Sequence, residues 1–264
     1  MFDDEAKLCR PADDTQTVEP VRIGVPGIVT NTREQLMSTH HESQAKESGG
    51  EWPAWRDLFY GAVREALASV YSVGRIGNQD TRAWERPLRY VADDNQGNVG
   101  VVEFRVDGAV GAVSARCPER AFDWARAIDL APAALRESLA QLCRLPLLQE
   151  GQGVSTAFWT VGESLRGPEN WHATCLSGGE LFRRELLSDF AWEKEAKAHY
   201  DLPLDLARLV MEIGRRAALR EPMLALSKCE VRHLIPRDAA YEGEALGLLT
   251  SDGLFGIAPD IVRL

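Results

Sequence analysis

Two short pairs of potential metal ligands stand out in the chain: His172-x-x-Cys175 and Cys229-x-x-x-His233. The second pair is spaced i, i+4 on a predicted helix, so both side chains could reach one ion, and two such pairs would complete a tetrahedral zinc site. With five cysteines and five histidines in 264 residues, however, pairs at this spacing arise readily by chance, and neither is the more specific Cys-x-x-Cys type. The reading that follows assigns no cofactor, keeps zinc at His172, Cys175, Cys229 and His233 as the alternative, and treats the thiols as small apolar groups.

A second possible chemistry is nucleophilic. Gly162-Glu163-Ser164-Leu165-Arg166-Gly167 follows a predicted strand, where a hydrolase nucleophile elbow would stand. That elbow needs glycine two residues before and two after the serine, because the turn excludes side chains. Here the second glycine comes one place late. Ser164 with His172 is therefore the alternative catalytic reading, an enzyme site around the 162–177 loop, and the leading reading has no catalytic residue. Leu176-Ser177-Gly178-Gly179-Glu180 resembles the signature loop of ATP-binding-cassette ATPases. That family also requires a glycine-rich phosphate loop ending in Gly-Lys-Ser/Thr, which this chain lacks, so the segment reads as a turn before a capped helix. Asp189 with Glu195-Ala196-Lys197 matches the letters of a restriction-type nuclease site, but those enzymes carry Glu-x-Lys on a strand. The segment here is a charged helix.

Composition narrows the class further. The formal net charge of −10 argues against nucleic acid as the main partner. Residues 1–51 hold ten acids against five bases, so half of that excess lies in the first fifth of the chain. No run of about 18 apolar residues is present to span a membrane. No basic start precedes an apolar stretch, as a secretory signal would require. Five widely spread cysteines fit reduced thiols and a cytoplasmic location. Residues 1–51 read as a flexible acidic tail, broken by Gly24, Pro26 and Gly27 in its one apolar patch, with Met37 as a second start. Residues 52–264 read as one domain.

The elements of that domain define an α+β fold: a small antiparallel meander packed by helices, with a mainly helical C-terminal lobe from about 180. Trp55, Leu58, Phe59, Ala62, Ala66, Leu67, Val70 and Tyr71 recur at helical spacing. A strand is expected over 88–92. The 101–116 segment reads as a hairpin turning on Asp107-Gly108, with Val106 facing Ala109, Phe104 facing Gly111 and Val102 facing Val113. A helix is expected from Cys117-Pro118-Glu119, placing Trp124 and Ile128 on the sheet, and a second from Pro132 with Leu135, Leu139 and Leu142 inward. A fourth strand covers 154–161. One long helix is expected over 180–200 with Leu181, Phe182, Leu186, Phe190 and Ala191 inward. Further helices follow Pro203, the capping box of Ser227 and Glu230, and Asp238. Trp159 at a strand end and Trp171 beside His172 form the candidate interaction surface. The leading functional reading is a non-catalytic protein-interaction module, such as an immunity, antitoxin-like or regulatory adaptor protein, whose partner is another protein. The oligomeric state is not written in any of these patterns.

Overall fold

Among the described helices the first, α1 (Trp55–Ser72), is also the longest. Trp55, Leu58, Ala62, Leu67 and Val70 are buried along it as their spacing predicts. So are Arg64 and Glu65, two residues that an amphipathic pattern would put in water. The structure is a computed structural model, and it describes residues 51–73, 81–86, 88–118, 121–150, 153–219, 224–235, 243, 245–247, 249 and 255–257. All of these lie within one compact unit, Ala45–Leu264. The acidic segment 1–50, with Met37 and the apolar patch at 21–29, lies outside the described residues.

Behind α1 stands a six-stranded antiparallel meander in the order β1-β2-β3-β4-β5-β6. Its strands are β1 (Thr81–Arg86), β2 (Arg89–Asp93), β3 (Val99–Arg105), β4 (Gly108–Ser114), β5 (Thr156–Val161) and β6 (Ser164–Arg166). Two strands exceed the expectation. In β1 the polar letters Thr-Arg-Ala-Trp-Glu-Arg hide the period, because Arg82 is buried beside Trp84. The other, β6, is only three residues long and follows a tight turn at Gly162, φ +65°. Its outer edge is closed by the segment entering α1: Ala54 bridges Ser164, and Leu165 N donates to Pro53 O.

Side chains alternate to two faces of the sheet, and each face has its own core. Val102, Phe104, Ala109, Val113, Phe158 and Leu165 meet α1 and the C-terminal helices. Val91, Val101, Val110, Ala112, Ala157 and Trp159 meet α2 (Trp124–Leu130), α3 (Ala133–Leu142) and α4 (Pro146–Gln149). The α2 helix begins at Asp123, whose side chain accepts from Arg126 N, and not at Cys117-Pro118. Leu135, Leu139 and Leu142 are inward on α3 as expected.

The β3–β4 hairpin keeps its predicted faces but slides by two residues. Arg105 pairs with Gly108, Phe104 with Ala109 and Val102 with Gly111, so Val106-Asp107 is the two-residue loop. Gly108 is not at positive φ. Its missing Cβ is needed for another reason: a methyl there would lie 2.8 Å from Thr160 Cβ on β5. Thr160 Oγ1 in turn accepts from Ala109 N and donates to Ala109 O. Gly111 does leave room for a ring, but the ring is Phe158 from β5, not Phe104.

The C-terminal part consists of α5 (Trp171–Leu176), a 3₁₀ turn (Gly179–Phe182), α6 (Asp189–Tyr200), α7 (Leu204–Leu219), β7 (Leu224–Leu226), α8 (Lys228–Leu234) and β8 (Phe255–Ile257). The α8 capping box forms as read, and β7 pairs with β8 in parallel. Gly243, Ala245–Gly247 and Leu249 are helical; the rest of the helix expected from Asp238 lies outside the described residues. The expected single helix over 180–200 is broken at 183–188, and Ser188 caps a new start by accepting from Ala191 N. Trp192, Ala196 and Tyr200 face inward on α6, while Phe190 is 71% exposed. The break is imposed by packing. A Cβ on Gly61 would lie 1.7 Å from Glu185 O, so α1 and the 183–188 segment touch backbone to backbone. Gly61→Ala should therefore lower the urea midpoint of unfolding, at a cost of about 1–3 kcal/mol or more, because the obstacle is main chain that cannot rotate away.

Candidate functional site

Two places concentrate polar side chains: a buried network behind α1 and an open cleft at the β3–β4 turn. The network is organised by two carboxylates. Glu65 on α1 accepts from Trp192 Nε1 at 2.6 Å, Tyr200 OH at 2.7 Å and Arg184 Nε at 3.1 Å. Glu185 accepts at one oxygen from Tyr90 OH at 2.7 Å and Arg82 Nη1 at 3.0 Å. Its other oxygen has no hydrogen-bond partner. Asp189, at the start of α6, accepts from Tyr60 OH, Arg64 Nη1 and Arg215 Nη2.

The surroundings push the carboxyls in opposite directions. Burial alone would raise Glu65, but Arg184, Arg82 and the donors from Tyr200 and Trp192 overcome it and hold the carboxyl below its ordinary range. Burial raises Glu185; Arg82 pulls it back, and the negative charge of Glu65 helps keep it above the ordinary value. Burial also raises Tyr90 and Tyr200 well above the usual phenol value. Two carboxyls driven apart are the pattern of an acid–base pair. These two are each 1% exposed, so no substrate can reach either. The network is framework.

The cleft, by contrast, is accessible. It is a shallow recess of about 700 Å³, largely open to solvent, between the β2 start, the β3–β4 turn and α3, with Leu88, Arg89, Glu103, Arg105, Val106, Asp107, Ser138 and Gln141 among its walls. Arg89 and Glu103 stand opposite each other on β2 and β3 and pair at 3.1 Å. Arg105 Nη1 donates to Ser138 Oγ at 2.9 Å, which ties the hairpin to α3. Val106 is 83% exposed. Sequence reading missed this site because the Asp107-Gly108 letters drew the turn onto the wrong pair and hid Val106 within a strand.

The residues singled out from sequence are dispersed. Ser164 opens β6 and pairs with Val161 across a strand-to-strand turn, where an elbow would need a strand-to-helix turn. No hydrogen bond joins it to His172, which is exposed on α5. Cys175 lies one turn along α5, its thiol pushed up to about 12 by burial and by Glu180. Cys229 and His233 do meet on α8, with Sγ 3.6 Å from Nδ1. Nδ1 also lies 2.7 Å from Cys229 O, an acceptor only, so Nδ1 carries the proton. His172 and Cys175 do not join them: among the described residues no three His, Cys, Asp or Glu side chains group closely enough to hold a metal ion. Trp159 is 4% exposed within the α2–α4 core, whereas Trp171 packs on Trp52 at 5.2 Å by the other core. The two rings share no surface. No described helix is long and apolar enough to cross a membrane. Comparison with protein-family models, with curated proteins and with solved structures finds no match to this chain.

The network predicts a pH dependence with a definite sign. A carboxyl held low in the folded state adds stability above its unfolded value, about 4.3 for Glu. That stability is lost as pH falls through the lower folded value. Replacing Glu65 by Gln leaves Arg184 buried beside a neutral partner, a loss of about 3–5 kcal/mol. In urea unfolding, Glu65→Gln should be strongly destabilised at pH 7, and its gap to the parent protein should shrink progressively below about pH 4. A second check concerns the thiols. Iodoacetamide at pH 8 should label the exposed Cys117 and Cys229 well before Cys143 and Cys175, because burial pushes both of the latter up to about 12.

Proposed function

We propose that this chain is a non-catalytic protein-interaction module, of the immunity, antitoxin-like or regulatory adaptor kind, that receives an exposed segment of a partner protein in the cleft beside the β3–β4 turn. One observation carries the reading: a valine, 83% exposed, sits at the apex of a tight turn on the rim of a cleft of about 700 Å³. An apolar residue at a two-residue turn has no conformational reason to be there, since such loops favour Asn, Asp and Gly. The scaffold behind it is stiff. Every residue of β4 is buried, and Arg105 anchors the turn to α3. A rigid support with a mixed apolar and charged recess suits recognition of a protein surface. The acidic balance of the chain, −10 overall, is consistent with a protein partner and works against binding to a phosphate backbone.

The test places a photo-crosslinking benzoyl-phenylalanine at position 106 in the native host, with the same group at Phe190 as comparison. Phe190 is 71% exposed on α6, so it controls for mere accessibility. A discrete crosslinked species of fixed mass from position 106, absent from position 190, is the expected result. Equal crosslinking from both positions, or none from 106, overturns the reading.

A further inference from the structure

We draw no further inference here: the strongest candidate, the shallow recess at the β3–β4 turn where Arg89 and Arg105 stand beside Glu103 and Asp107, belongs to the site already described, and with donors and acceptors both open there nothing in the structure shows what covers it.

Discussion

Everything behind the sheet depends on three guanidinium groups meeting three carboxylates, two of which, Glu65 and Glu185, are fully buried. Arg64, Arg82 and Arg184 project from α1, from β1 and from the segment before α6, and meet Glu65, Glu185 and Asp189. Such an arrangement is costly to desolvate and returns that cost only when nearly every polar atom finds a partner. The partners found are unusual in kind. Arg64 donates to Glu185 O and Leu187 O, and Arg82 donates to Leu181 O. In a continuous helix those carbonyls would be taken by amides four residues on. The guanidinium groups replace part of a helix's own hydrogen bonding, and that is how the 183–188 segment stays irregular while enclosed. Three aromatic groups finish the enclosure: Tyr90 and Tyr200 donate to the carboxylates, and the Arg64 guanidinium lies 4.9 Å from the centre of the Trp192 ring.

This network explains which parts of the fold were legible in the sequence. Elements whose periodicity is carried by apolar residues were read correctly: α1, α3, α7 and the hairpin faces. Where a charged residue occupies an inward position, the pattern fails. Arg82 makes β1 look like a loop, and the polar run Arg183-Arg184-Glu185 looks like the solvated face of a helix that continues to Tyr200. No single-sequence pattern distinguishes a buried Glu185 from the half-exposed Glu195; only its distant partners, Tyr90 and Arg82, do so.

The candidate site was hidden by a different mechanism. Asp107-Gly108 carries the letters of a two-residue turn, and the expected pairing followed from the conformational freedom of glycine. In the structure that glycine is used for close approach to Thr160, and the turn moves back to Val106-Asp107. A slip of two residues preserves which side chains face which core, so the hydrophobic pattern could not reveal it. Its consequence is confined to the apex, where a residue assigned to a strand becomes the most prominent apolar group on the rim of the cleft. The serine, histidine and cysteine pairs that drew attention first are not gathered into one cluster among the described residues, because spacing along the chain says little about proximity between α5 and α8.

The edge of the meander at β6 has a consequence for how the chain can be handled. Pro53 and Ala54 pair with Leu165 and Ser164, and Trp55 N donates to Glu163 O. These few residues form one isolated bridge along the edge of β6, and they are the first that the structure describes in sequence apart from Glu51 and Trp52. A proteolytic cut just after them would leave β6 with bare main-chain donors and acceptors, an opening onto which another copy could add a strand. The entry to α1 thus covers main-chain groups at the β6 edge as well as leading into the core.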